Sequence, residues 1–283
     1  MFELGRGVSL VEALESGMDG ATKLGRGRQF SLGEVVLGPP VGRPGKIVAA
    51  IVNTIGMLGG PEVRLERPRL DMKAPNSVTG PGEAIVAPES GIRPEVELAA
   101  VIGERISRVS PGEARRRILG YTILNDVTAP KDSKEDAYEA YRRDPSTGVI
   151  SRRTLRGPLF RSKNHDTFCP IGPWIVTQDE FGDPLGKAMS TSFAGKKVQE
   201  GNTSEYIFGP AEIASYVSGF LTLEPGDVVS CGSVGWTREA IGDLDPTEYI
   251  LPMALGTLDL SIEGIGTLTN PVVREEGLLG KLK

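Results

Sequence analysis

Short apolar runs, each cut off by glycine or proline, recur along this chain and limit what it can fold into. "KIVAAIVN", "YTILNDVT", "CPIGPWIVT", "STSFAGKKV", "GDVVSCGSV" and "TLDLSIEGIGTL" all have strand length and strand composition. With 37 glycines and 21 prolines in 283 residues, and aromatics at only 6%, many short strands joined by turns are favoured over a helical bundle. Four segments read as wholly or partly helical. "SLVEALESG" pairs Ser9 with Glu12 as a capping box. "SPGEARRRILG" has Ser110 as cap, Pro111 first, Glu113 closing the box and Gly120 as the stop. "GPAEIASYVSGFLTLEPGD" forms a third, ending near Gly219. "RPRLDMKAPNSVTGPGEAIVAP" reads as a loop or edge hairpin, and "SKEDAYEAYRRDPSTGVISRRTL" as a short helix followed by an exposed charged loop. No internal repeat is visible. The expected class is a β-rich α+β fold with a few short helices.

The chain is long enough to bury a large core. Its net charge of -5 and pI near 5.2 give no basic footprint for nucleic acid. The apolar runs are too short to span a bilayer, and "MFELGRGVSL" lacks the apolar core of a secretory signal. Cys169 and Cys231 are too few for a disulfide framework or a thiolate zinc site, so they read as reduced cysteines of a cytoplasmic protein. An anionic small substrate would need a local cation or a metal, since the overall field is negative.

"RPEVELAAVIGE" places Glu95 and Glu97 at the mouth of an apolar run. Positions two apart share one face of a strand. Two carboxylates on a half-buried face repel, and burying either is costly unless something compensates. Asp126 ends the apolar strand "YTILND", which returns after one short helix and can lie beside the glutamate strand. Two glutamates and an aspartate, with no neighbouring His or Cys, make an all-oxygen set suited to a hard cation such as Mg²⁺ or Mn²⁺. The bland alternative for the pair is a solvated strand end.

The motifs "PEVELAAVIGE", "GYTILNDVTA", "KNHDTFCPIGPWIVT", "LEPGDVVSCGSVGW" and "SIEGIGTLTNPV" occur in an order that resembles the fumarylacetoacetate hydrolase superfamily, over roughly residues 46 to 275. The likeness is strongest to its branch of 2-hydroxyhepta-2,4-diene-1,7-dioate and 5-carboxymethyl-2-hydroxymuconate isomerases. The resemblance implies a mixed β-roll or barrel-like fold with short flanking helices, usually a homodimer. On this basis residues 1–74 would be an N-terminal region and possible lid, and residues 75–283 the catalytic domain. The resemblance further implies that Glu95, Glu97 and Asp126 hold one Mg²⁺ or Mn²⁺. Lys163 matches the family's substrate lysine, facing a developing negative oxygen. Ser233 stands where the family has the threonine of a Gly-Thr-Pro turn, a donor for the substrate carboxylate. Gln199 matches a segment read as structural.

Three departures from the family pattern bear on the chemistry. The segment "IVNTIGMLGGPE", where hydrolytic members carry a water-activating His, has none, although Glu62 is near. The single histidine, His165, falls at a tolerant position and takes no role. After Asp126 the chain reads "TAPKDS", with Pro130 in place of a substrate-binding arginine; Lys131 could replace its charge but not its bidentate fork. The connection over residues 131–160 is long and charged, either a lid or solvated surface. The expected activity is an isomerase or decarboxylase of a 2-oxo or β-diketo acid acting through a metal-bound enolate; the resemblance points to members that act on aromatic-degradation intermediates, unsaturated 2-oxo dicarboxylic acids made after ring opening. Hydrolysis of an acylpyruvate-like C–C bond, a biosynthetic cyclisation or dehydration, and a non-catalytic metal-binding member are the alternatives.

Overall fold

A computed structural model describes residues 31–58, 60, 62–155, 157–244, 248–251 and 256–274. The expected helix at Ser9 lies outside them. Fourteen strands among the described residues form three sheets: β1 (Ile47–Ala50), β2 (Leu70–Lys73), β3 (Val78–Thr79), β4 (Ile85–Ala87), β5 (Val96–Ile102), β6 (Ile118–Asn125), β7 (Tyr138–Arg143), β8 (Ile150–Leu155), β9 (Cys169–Thr177), β10 (Ala188–Phe193), β11 (Lys196–Asn202), β12 (Val228–Ser233), β13 (Gly256–Ile262) and β14 (Gly266–Arg274). The largest sheet has the order β2-β1-β12-β5-β6-β9-β3, the second β11-β10-β13-β14-β4, and β7-β8 stand as a separate hairpin. Parallel pairs (β1 with β12, β14 with β4, β3 with β9) occur among antiparallel ones, so the sheets are mixed. The β-rich α+β class holds.

β5 explains why a run of apolar residues starts with glutamates. Every residue of β5 is buried, so both faces are covered. Val96, Leu98, Ala100 and Ile102 face the main core, where β10 and β13 pack against β5 and β6. Ala99 and Val101 face a second apolar layer with Ile47, Leu124, Ile171 and Val228. Glu97 belongs to that second face by the strand's two-residue period and marks where apolar packing stops and a cavity begins.

Several local expectations are corrected. The helix after Ser110 covers Pro111–Arg116 with its capping box intact, but Gly120 does not end it. Gly120 lies in β6, where a Cβ would sit 2.2 Å from the Val176 carbonyl oxygen of neighbouring β9. The exposed loop expected after residue 135 is the β7–β8 hairpin, preceded by the helix Pro130–Glu135. "RPRLDMKAPNSVTGPGEAIVAP" supplies β2, β3 and β4. Residues on either side of position 74 share one sheet, because β1 and β2 pair with each other and β1 with β12. A boundary there would cut that sheet. No helix among the described residues is long and apolar enough to cross a membrane.

Candidate active site

Antiparallel pairing of β5 with β6 sets Val96 opposite Asn125, so the residues just beyond, Glu95 and Asp126, meet at the sheet's end. The Asp126 amide donates to the Glu95 carbonyl at 2.9 Å, and the Arg93–Thr128 bridge continues the pairing. One carboxylate oxygen from each of Glu95, Glu97 and Asp126 lies within 4.8 Å of the others, and all three residues are buried. They line a cavity of ≈ 440 Å³ together with Arg93, Lys163 and Ser233.

Ser233 reaches the cavity through an irregularity in β12. The β12–β5 register shifts between Ser230 and Ser233, bringing Ser233 opposite Glu97. Gly232 occupies the left-handed region with φ 92°, and its amide donates to Glu97 Oε2 at 3.1 Å. Ser230 Oγ donates to the same oxygen at 2.5 Å. Gln199, fully buried, donates to Ser233 Oγ at 2.9 Å and to the Val234 carbonyl, and accepts from the Val96 amide. Ser233 Oγ thereby accepts from Gln199, while its hydroxyl donates only over a long 3.5 Å contact to the Val234 carbonyl. The structural reading of Gln199 fits these contacts.

Three cations face the three carboxylates. Lys163 Nζ, at the end of the short helix Phe160–Lys163, contacts Glu95 Oε2 at 2.7 Å and Asp126 Oδ2 at 2.5 Å. Lys73 Nζ, buried on β2, stands 2.7 Å from Asp126 Oδ1 and donates to the Lys163 carbonyl. The Arg93 guanidinium pairs with Glu95 Oε1 at 2.6 Å. Burial, then the charges of Asp126 and Glu95, push the Glu97 carboxyl up to about 8. Burial also raises Asp126, but Lys163 and Lys73 outweigh it and hold the carboxylate well below the usual range. Burial works against the Lys163 ammonium, yet Asp126 and Glu95 outweigh it and keep the lysine charged. Both cysteines are buried and free, and burial pushes Cys169 up to about 12 and Cys231 well above its ordinary value, so neither is a ready nucleophile.

Lys131 is exposed and is not among the cavity-lining residues; from its helix, Pro130, Ser133 and Lys134 line the wall instead. Nor does Glu62, an exposed residue, line it. His165 contacts Asp132 Oδ2 through Nε2 at 2.7 Å, tying the helix Pro130–Glu135 to the segment that carries Lys163. The hairpin contributes Thr154 to the wall. Lys73, Arg93 and Ser133 are cavity or site residues that sequence reasoning missed. For Arg93 a signal existed, since it lies two positions before Glu95.

Fold and cavity together define an enzyme-type site: a buried carboxylate triad at the edge of a mixed sheet, able to hold a metal ion, with an ammonium beside it. Residues 49–273 match the C-terminal domain of fumarylacetoacetate (FAA) hydrolase, and the chain belongs to the fumarylacetoacetate hydrolase family. A 2,4-didehydro-3-deoxy-L-rhamnonate hydrolase of Sphingomonas sp. (strain SKA58) is 36% identical over 83% of this chain and 75% of its own length. A human mitochondrial oxaloacetate tautomerase is 30% identical, covering 85% and 70%. Among solved structures, the 5-carboxymethyl-2-hydroxymuconate delta-isomerase of Mycobacterium smegmatis superposes with a TM-score of 0.70 at 32% identity, over 88% of this chain and 86% of that one. The relatives are enzymes of hydrolase, tautomerase and isomerase type, and the isomerase branch expected from sequence is among the structural neighbours.

Proposed function

We propose that this chain is a divalent-metal-dependent enzyme that acts on a 2-oxo or β-diketo acid by stabilising its enolate, as an isomerase or decarboxylase. The observation that carries the reading is the buried triad of carboxylates, with oxygens within 4.8 Å of one another, on the wall of a cavity that also holds Lys163. Its oxygen-only donors fit a hard cation, and Glu97 is left frustrated by its like-charged neighbours, which a cation would relieve. Mg²⁺ or Mn²⁺ bound by Glu95, Glu97 and Asp126 would act as a Lewis acid, lowering the cost of negative charge on the substrate's keto oxygen.

The chain's own groups do the rest. Lys163 stays an ammonium, so it stabilises a developing negative oxygen or delivers a proton to it; it is not poised as a base. Ser233 donates to the substrate carboxylate while Gln199 fixes its orientation. Three cations balance three carboxylates, and a divalent ion adds two positive charges. That excess matches a head bearing one carboxylate and one enolate oxygen. Among the described lining residues no histidine and no carboxylate outside the triad is available to activate water. This favours proton shift or CO₂ loss over hydrolysis.

By resemblance the enzyme is proposed to act as a homodimer in the cytoplasm. The test is substrate loss with product identification for oxaloacetate, an acylpyruvate and an unsaturated 2-oxo dicarboxylate, each with EDTA, Mg²⁺ or Mn²⁺. Metal-dependent CO₂ release or a moved double bond is the expected result. Metal-dependent cleavage into two acids would replace the isomerase or decarboxylase reading with the hydrolase.

A further inference from the structure

Away from the carboxylates the cavity wall is mostly apolar. Ala50, Ile51, Val52 and Met57 line it from β1 and the segment that follows, and Pro130, Ala137 and Leu159 from the connection between β6 and β9. The cations among the described lining residues are each held in an ion pair. Arg93 is paired with Glu95, Lys163 with Glu95 and Asp126, and the exposed Lys134 with Glu248 at 2.7 Å. Hydroxyls are spent as well. Thr128 Oγ1 donates to the Asp126 carbonyl and Thr154 Oγ1 to Glu139, while Ser133 Oγ is fully buried and does not reach the open space. A second carboxylate on a substrate would have to break one of these ion pairs or stay unpaired against apolar surface, and a buried unpaired charge is costly.

Val52 adds an independent observation. Its φ of 53° lies in the left-handed region, which strains a β-branched residue and suits glycine. Val52, Arg108, Thr167 and Ala194 are the non-glycine residues with positive φ among the described residues, and of these only Val52 lines the cavity. Hydrogen bonds on both sides fix this backbone. The Ile51 amide donates to the Arg69 carbonyl at 2.8 Å, and Asn53 Nδ2 donates to the Phe208 and Cys231 carbonyls, each at 2.8 Å. Thr54 Oγ1 donates to the Ser233 carbonyl at 2.9 Å. Glycine would hold the same conformation without strain. What valine supplies there is apolar surface on the cavity, and Met57, half-buried in the short helix Ile55–Leu58, extends it.

We infer that the substrate beyond its 2-oxo acid head is an uncharged hydrocarbon tail, and that Val52 and Met57 determine this specificity. The inference rests on the function proposed above and departs from the dicarboxylic substrates expected from sequence. Its test uses three 2,4-dioxo acids of equal chain length that end in a methyl, a primary alcohol or a carboxylate. For the Mg²⁺-loaded wild-type protein, kcat/KM is highest for the methyl end and lowest for the carboxylate. Lengthening the methyl-ended acid by one methylene raises it about fourfold. In Val52→Gly the ratio of methyl-ended to carboxylate-ended substrate falls about tenfold, while the melting temperature does not drop, because the strain leaves with the side chain. A residue that only packs would lower the melting temperature and leave the ratio alone. Met57→Arg brings a cation to the wall and lowers the same ratio by raising kcat/KM for the carboxylate-ended acid. A wild-type preference for the alcohol or the carboxylate, or an unchanged ratio in either variant, overturns the inference. If the wild type turns over none of the three, calorimetric binding of the same compounds with Mg²⁺ separates the claims. The same order of affinities and the same variant effects uphold the hydrocarbon tail while the catalytic reading fails. No binding of any of them removes both.

Discussion

At the scale of single residues the site is an exercise in neutralising buried charge. Glu97 carries the clearest consequence. Its carboxyl is pushed up to about 8, so between the ordinary carboxyl value and that point the folded protein holds a proton that the unfolded chain has lost. The stability from this group is present below the ordinary value and is lost as pH rises through about 8. Without added metal, Glu97 therefore lowers the melting temperature between pH 6 and 9, and Mg²⁺ raises it more at pH 9 than at pH 6. Ion binding also needs Glu97 ionised, so titrating Mg²⁺ at pH 6.5 releases about one proton per ion, measurable with a pH indicator, and Glu97→Gln abolishes the release. An equal Mg²⁺ effect at both pH values would contradict the assignment. Lys73 gives a second test. Removing one member of a buried pair strands the other, so Lys73→Met costs about 3 kcal/mol of stability in chemical denaturation; a change under ~1 kcal/mol would show that Lys163 alone suffices for Asp126.

At the scale of elements, what the sequence revealed depended on whether the signal was local. Glu95 and Glu97 could be paired from the two-residue period of a strand, and Asp126 could be placed beside them because one short helix separates the two strands. Lys73 could not, since three strands separate β2 from β6 in the sheet and its contact with Asp126 arises only in the tertiary fold. Lys163 was placed by resemblance rather than by any spacing. The β7–β8 hairpin was hidden for a different reason. Its strands are exposed, so burial imposes no apolar alternation, and only "DPSTG" marks the turn, where the Asp144 carboxylate accepts from the Ser146 and Thr147 amides. Gly120 was misread because a glycine after a helical pattern looks like a stop, whereas its cause is close strand approach. Gly232 combines both constraints: at φ 92° an added Cβ would sit 3.0 Å from the Cβ of Asn53. Gly232→Ala is expected to lose more than about 1 kcal/mol and to lower kcat/KM, because the shift that sets Ser233 opposite Glu97 is disturbed. Unfolding curves and kinetics on the same preparation check both halves, and wild-type values in each would remove Gly232 from the account.

For the whole molecule, the two larger sheets share a core while the hairpin stands apart with Tyr138, Tyr141, Ile150 and Leu155 exposed. A two-stranded hairpin open on both faces is only marginally stable alone, which accords with the proposed homodimer. Sedimentation equilibrium at micromolar concentration is expected to give twice the 30.2 kDa chain mass, and a monomer would remove the dimer from the proposal. The carboxylate triad that could hold a metal, by contrast, lies within one chain, with all three carboxylates and both lysines supplied by it. The most direct test of that centre is a Mn²⁺ titration followed by electron paramagnetic resonance, on wild type and Glu97→Gln, before and after adding a 2-oxo acid. The account predicts one bound ion per chain, a spectrum altered by the 2-oxo acid, and binding weakened at least tenfold in Glu97→Gln. Failure to bind a stoichiometric ion, or equal binding by Glu97→Gln, would contradict it.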